Sequence, residues 1–272
     1  QSVDGDGGLV VCRTDTPTTP ELHIAGRVFR SVFGTQHVFD AQGLPPGEHP
    51  YTIVSGVTLA TGVLEPAGAM PLRFLAWGDS GTGDSNQLAV ADRMELVPGV
   101  DFALGLGDLV YESGQASGFD QRLFGPYREL FARMCFWPTL GNHDAATSNG
   151  APFYAACYLP PGTGGLGHPS GTERFYSFDW GEVHFVCLDS ESSSSSPSGS
   201  MWQWAEDDLA AAQGARWRVV FMHHPPYSKG THDSDTESDL RTLRQNLVPL
   251  FDAQAVDLVL VGHSHNYERS YG

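Results

Sequence analysis

The sequence contains a single lysine, Lys229, and carries a formal net charge of −17 over 272 residues. Such an anionic excess repels a phosphate backbone unless the acidic groups face away or are neutralised by bound cations, so generic nucleic-acid binding is not expected. Cysteine is scarce as well: Cys12, Cys135, Cys157 and Cys187 form no CxxC pair and show no thiolate zinc spacing. Cys187 lies in the apolar run Val183 to Asp189, where a buried thiol is expected. Spacing alone leaves a Cys135–Cys157 disulfide open, and with it the redox compartment. No stretch approaches the ~20 apolar residues of a membrane-spanning helix. Gln1 opens the chain without the charged and apolar regions of a secretion signal, which was either removed or never there.

What is present describes a globular chain. Hydrophobic residues make up 40% and charged residues 17%, with Gly 32 and Pro 18 marking many loops. The length suits one medium domain with a small appended one. Residues 1 to about 68 hold short β-like runs at Leu9 to Cys12, Leu22 to Ile24, Arg27 to Phe33 and Tyr51 to Val57, and no helical periodicity. This reads as a small β-sandwich, short at its start, ending at the linker-like Glu65 to Pro71.

From Leu72 the pattern becomes strand, Gly-rich loop, helix, repeated. Predicted strands cover Leu72 to Trp77 (read as buried), Phe102 to Leu106, Phe136 to Leu140, a hairpin of Arg174 to Phe178 with Glu182 to Leu188, Arg218 to Met222, and Asp257 to Val261. Predicted helices cover Ser85 to Leu96, Phe119 to Arg133, Ser200 to Gln213 behind a Ser200/Gln203 capping box, and Asp239 to Gln254, with a further segment at Pro152 to Leu159. The serine run Ser190 to Ser200 is expected to be a solvated loop without chemistry. Alternation of this kind predicts an α/β domain with largely parallel pairing and ligand sites beyond the C-terminal strand ends.

Five polar clusters stand directly after five predicted strands: Gly78-Asp79-Ser80-Gly81, Gly107-Asp108-Leu109-Val110-Tyr111, Gly141-Asn142-His143-Asp144, His223-His224 and Gly262-His263-Ser264-His265. One Asp after a strand is usually a helix N-cap. Five clusters in series are not explained by capping, and they are expected to converge on one edge of one sheet. Carboxylate, imidazole, phenolate and amide oxygen together suit two hard-to-borderline cations with a bridging carboxylate.

These residues resemble the calcineurin-like metallophosphoesterases, whose GDxG, GDxxY, GNHD, xxxH and GHxH motifs occur here in order over residues 72 to 272. Tyr111, together with Gly81 where many relatives carry histidine, looks like the purple acid phosphatase branch. The resemblance implies an α/β fold: a metallophosphoesterase β-sandwich of two mixed sheets flanked by helices (69–272), preceded by a small all-β fibronectin type III-like domain (1–68). It implies that Asp79, Tyr111 and His265 bind Fe(III), that Asn142, His223 and His263 bind a divalent metal (Zn, Mn or Fe), and that Asp108 bridges them. A tyrosinate-to-iron charge transfer would colour the protein.

His143 and His232 are the implied catalytic groups, and Asn142, His143, His232 and His224 the implied substrate contacts. For His224 a packing role is an equal alternative, and His232 has the simpler reading of an exposed loop histidine. His184, His23, His37, His49 and His168 are read as structural or solvated. Arg269, after the last motif, is a guess for a loop anchor.

The implied activity is hydrolysis of phosphate monoesters, a metal-bound hydroxide attacking phosphorus in line. A phosphodiesterase or nucleotide pyrophosphatase on the same metals is the alternative, with the Gly162 to Pro169 and Ser190 to Ser200 loops as candidate determinants. The implied partner is a small-molecule phosphate ester, with no stable nucleic-acid partner and no membrane, and the implied location is secreted or periplasmic. The chain stops seven residues after His265, whereas relatives continue, so truncation is expected.

Two rivals are weaker. Gly78-Asp79-Ser80-Gly81 echoes a serine-protease GDSG, and Gly262-His263-Ser264-His265 a nucleophile elbow, but the first opens a helix in an α/β pattern and the second lacks its closing glycine. A retired enzyme acting as a binding module should have lost ligands, and here none of the expected positions is lost.

Overall fold

The computed structural model describes residues 8–45, 47–64, 71–159 and 167–270. Its first part holds strands β1 (Gly8–Thr18), β2 (Glu21–Ile24), β3 (Arg27–Arg30), β4 (Gly34–Ala41), β5 (His49–Ser55) and β6 (Val57–Leu64). β1 pairs with β4, and β3-β2-β5-β6 form a second antiparallel sheet. Val10 and Phe39 of the first sheet meet Leu22, Ile24, Ile53 and Leu64 of the second in one core, which makes the pair a sandwich. β4 and β6 were not anticipated. β6 is an edge strand exposed over most of its length, so it lacks the apolar alternation that reveals a half-buried strand. The linker placed at Glu65 to Pro71 falls almost wholly outside the described residues.

Among the described residues, backbone and side-chain hydrogen bonds tie the sandwich to the rest of the chain at Ala132. Val63 N donates to the Ala132 carbonyl at 3.1 Å and the Tyr51 hydroxyl donates to the same oxygen at 3.3 Å. Gly62 has to be glycine for this approach, because a Cβ there would sit 2.1 Å from that oxygen.

Two further sheets follow. The first runs β7 (Phe74–Trp77), β8 (Phe102–Gly105) and β9 (Cys135–Pro138), wholly parallel among the described residues. The second runs β10 (Tyr176–Trp180), β11 (Val183–Cys187), β12 (Trp217–Phe221) and β13 (Leu258–Leu260), where only β10 is antiparallel. Only the second sheet is therefore mixed, where the sequence suggested two. Their inner faces meet through aromatic rings: Trp137 stacks on Phe178 with centroids 4.2 Å apart, and Phe102 lies 5.2 Å from Phe185. β7 is an edge strand with Ala76 exposed, not the buried strand its run of apolar residues suggested.

Helices α1 (Ser85–Glu95), α2 (Arg128–Phe131), α3 (Asn142–Ala145), α4 (Ala151–Ala156), α5 (Ser200–Ala211) and α6 (Ser238–Ala253) complete the described elements, with α5 and α6 packing Met201, Leu209 and Leu247 against Val186 and Val220. Two expectations are corrected and one open pairing is answered. The helix read over Phe119 to Arg133 is broken: a π turn covers Asp120–Phe124, and the helix resumes at Arg128 only after Gly125-Pro126. Ser200 does not cap α5; Gly199 is its N-cap and no capping side chain bonds there. Cys135 and Cys157 are buried free thiols, not a disulfide.

Candidate metal centre

The parallel pairing decides where the polar clusters go. β7, β8 and β9 all end at one rim of their sheet, and β12 and β13 end at the same rim of the facing sheet, so the five clusters meet across two sheets rather than on the edge of one. Backbone bonds lock the meeting. His263 N donates to Asp79 Oδ2 at 2.8 Å, His143 N donates to Asp108 Oδ1 at 2.9 Å, and Gly262 N donates to the His223 carbonyl at 2.9 Å.

Close approach explains the motif glycines. A Cβ at Gly141 would lie 2.2 Å from Asp108 Oδ1, and one at Gly107 would lie 2.5 Å from His223 Nδ1. Asp79 (φ 57°), Asp108 (φ 54°), His263 (φ 71°) and His265 (φ 49°) all sit in the left-handed region. Each such non-glycine residue costs on the order of 1–3 kcal/mol, and a concentration of them marks a functional constellation.

The side chains bring their donor atoms into two groups. In one, Asn142 Oδ1 is 3.0 Å from both His223 Nε2 and His263 Nδ1, which are themselves 3.2 Å apart. In the other, Tyr111 Oη is 3.0 Å from His265 Nε2, which is 3.6 Å from Asp79 Oδ1. Asp108, 1% exposed, lies between them: its Oδ2 is 3.5 Å from His223 Nε2, and its carboxylate also takes up the Tyr111 hydroxyl. His223 Nδ1 donates to the Leu106 carbonyl at 2.7 Å, which turns Nε2 toward the cluster.

The electrostatics leave the cluster short of positive charge. Burial raises the Asp79 carboxyl above its ordinary value, and burial together with Asp108 and Asp79 pushes the Tyr111 phenol far up. Burial, then His224 and His223, pulls His263 down to about 3. At His223, burial pulls downward but the Asp108 hydrogen bond and charge prevail and lift it to about 9. At Asp108, burial pushes upward, yet the bonds from His223 and His143 hold the carboxyl below the ordinary range. Asp79 Oδ1 is buried with no hydrogen-bond partner. An orphaned carboxylate oxygen among hard anionic donors and imidazoles is what a cation would satisfy, so the residues fit a two-metal centre.

Three histidines ring this centre. His143 Nδ1 donates to the Glu112 carbonyl at 2.5 Å, its Nε2 is 4.0 Å from Asp108 Oδ2, and its ring meets Tyr111 edge-on at 4.6 Å. His232 stacks on His263 with centroids 3.9 Å apart and donates Nδ1 to Glu237 Oε2 at 2.9 Å, so the plain exposed-loop reading fails. His224 is buried 4.4 Å from the His263 ring and bonds Ser190 Oγ through Nδ1 at 3.0 Å; burial, then His223, pulls it down to about 3.

Several residues near the centre escaped the sequence reading. Asp144 is fully buried, and its carboxylate accepts from Leu109 N, Val110 N and Gly141 N, clamping the loops after β8 and β9; burial lifts it to about 7. Ser190 and Glu191, at the head of the serine run read as inert, reach His224, Glu191 Oε2 lying 3.6 Å from Nε2. Both lie just after β11, a position that could have flagged them. The loop anchor after the last motif is Glu268, which accepts from Lys229 N at 2.9 Å. Ser80 Oγ is buried with no partner and Ser264 Oγ bonds Ser228 Oγ at 2.6 Å, so neither serine has the histidine base a nucleophile needs.

A profile for calcineurin-like phosphoesterases matches residues 72–267. An uncharacterised protein of Mycobacterium tuberculosis is 30% identical over 98% of this chain and 55% of its own length. Purple acid phosphatase 21 of Arabidopsis thaliana is 32% identical over 75% of this chain and 46% of its own length. The chain thus spans about half the length of these relatives. Among solved structures, a purple acid phosphatase from yellow lupin (Lupinus luteus) seeds superposes with a TM-score of 0.80 over 98% of this chain and 57% of its own, at 15% identity, which supports a shared fold.

Proposed function

The chain belongs to the calcineurin-like phosphoesterase family, and from that premise we propose that it is a dinuclear-metal hydrolase of phosphate monoesters, similar to the purple acid phosphatases. The observation that carries the reading is the division of seven donor side chains into two groups sharing Asp108, with Asp79 Oδ1 buried and without a hydrogen-bond partner among the described residues. Asp79, Tyr111 and His265 would hold Fe(III), Asn142, His223 and His263 a divalent metal (Zn, Mn or Fe), and Asp108 both. Bound there, the cations would polarise the phosphoryl oxygens and supply a nucleophile from water.

The chain's own groups do the rest. His143, with Nδ1 committed to the Glu112 carbonyl, directs Nε2 to the cluster, where it holds phosphate charge or passes a proton to the leaving oxygen. His232 has the same capacity, and its bond to Glu237 fixes the orientation of the ring. His224, fixed by Ser190 and packed beside the His263 ring, would contact substrate together with Asn142. The preceding sandwich is proposed as a fibronectin type III-like domain divided from the catalytic domain near residue 68. A secreted or periplasmic setting is proposed from the family resemblance alone. No described helix is long and apolar enough to cross a membrane.

The test is hydrolysis of p-nitrophenyl phosphate beside bis(p-nitrophenyl) phosphate from acid to mildly alkaline pH, with metal-stripped protein as control. Metal-dependent monoester turnover favoured at acid pH is expected. Diester preference would make the protein a phosphodiesterase instead, and no turnover with either ester by metal-loaded protein would sink the phosphoesterase reading.

A further inference from the structure

A cavity of about 240 Å³ opens between the Val110–Gly118 segment and the π turn, lined by Tyr111, Glu112, Ser113, Gln115, Gln121 and Arg122 among others. It adjoins the centre directly, since Tyr111 lines the cavity while its hydroxyl bonds His265. Its walls carry hydroxyls and amides together with the carboxylate of Glu112, and the one cation among its lining residues is Arg122.

Arg122 is held in place. Its stem passes Gly83 and Gly118: a Cβ at Gly83 would lie 3.1 Å from Arg122 Cγ, and one at Gly118 would lie 3.8 Å from Cδ. Its carbonyl accepts from Gln87 Nε2 at 2.6 Å. Among the described residues its guanidinium has no hydrogen bond and no ion pair, whereas Arg30, Arg174, Arg216 and Arg244 each sit on a carboxylate. In a chain of net charge −17, an arginine that shares a cavity with Glu112 yet forms no ion pair with it, beside a phosphate-handling centre, has its fork free for an oxyanion.

We propose that this cavity receives a second anionic group of the substrate, a carboxylate or a further phosphate, on the fork of Arg122; the proposal rests on the phosphoesterase reading of the adjoining centre. A planar guanidinium pairs with either oxyanion through two parallel hydrogen bonds, and the clamped stem lowers the ordering cost of making them. Substrates would accordingly be phosphate esters of small acids or bisphosphates rather than of neutral alcohols.

The test is calorimetric titration of the metal-loaded protein with ethyl-, propyl- and butylphosphonate and with the same chains ending in a carboxylate. At one or two chain lengths the carboxylate homologue should bind about tenfold more tightly than its alkyl counterpart. Arg122→Gln should erase that ratio, with the alkylphosphonate as internal reference. Arg122→Lys, which keeps charge but loses the fork, should retain part of it and covers the case in which the glutamine variant does not fold. No preference at any length, or an unchanged ratio in Arg122→Gln, overturns the subsite. Turnover of p-nitrophenyl phosphate by the unaltered protein judges the phosphoesterase reading separately: turnover without a ratio refutes only the subsite.

Discussion

Asp108→Asn is expected to lose at least about a hundredfold in metal-dependent hydrolysis of p-nitrophenyl phosphate and to retain less of both metals, since even altering residues behind metal ligands commonly costs 10–100-fold. The side chain is buried between the two donor groups, so no solvent takes over its role. The amide keeps the shape and the Oδ1 bond from His143 N, which guards the fold, but it turns a charged oxygen near His223 Nε2 and Tyr111 into a neutral group. One change therefore strikes both sites, where a change at Asn142 or Tyr111 strikes one. Steady-state kinetics with metal analysis on the same preparation is the measurement, and full metal content with full activity would sink the bridging assignment.

A pH-dependent loss of stability is the second large effect expected, and it arises far from the metals. His184, 1% exposed, bonds Asp179 Oδ1 through Nδ1 at 2.6 Å and Asp208 Oδ2 through Nε2 at 2.9 Å. Asp208 Oδ1 in turn accepts from Ser177 Oγ and from His168 N, so this bridge ties β10, β11, α5 and the segment at His168 together. Burial pulls the ring's affinity for its proton down, but the two carboxylates prevail and lift it from 6.5 to about 9. A group raised on folding gives stability that is complete below its unfolded value and lost as pH climbs through the folded one. The contribution should be whole below about pH 6.5, decline up to about 9 and be gone above it.

A shift of this size is worth on the order of 3 kcal/mol. His184→Gln should therefore melt lower than the parent at pH 6, by roughly 6–12 °C at the usual 2–4 °C per kcal/mol, and approach the parent above pH 9. Equal melting differences at pH 6 and pH 10 would contradict the bridge's protonated state.

Much of this clustering was legible because the candidate ligand residues stand in short motifs at strand ends. Asp79, Asp108, Tyr111, Asn142, His223, His263 and His265 fall together once the strands are parallel, and the strand pattern predicted that. What it did not reveal was that two sheets share the rim, because packing of β9 against β10 between two sheet faces leaves no local signal; the aromatic rings that join the faces, Trp137 and Phe178, read only as apolar residues. Asp144 was missed for a related reason: its work is to accept from the backbone of another loop, and no spacing announces that. The broken helix at Gly125-Pro126 was legible and was overridden by the apolar periodicity around it. Arg122 carried no motif at all, and only its place on the cavity beside Tyr111 singles it out.

The most direct test of the central claim is metal stoichiometry with visible absorption on protein reconstituted with iron and zinc. Two metals per chain, one of them ferric iron, are expected, with a colour band that Tyr111→Phe abolishes while the zinc remains. Protein that takes up fewer than one metal per chain, or two metals with an absorption band that Tyr111→Phe leaves unchanged, would contradict the centre described here.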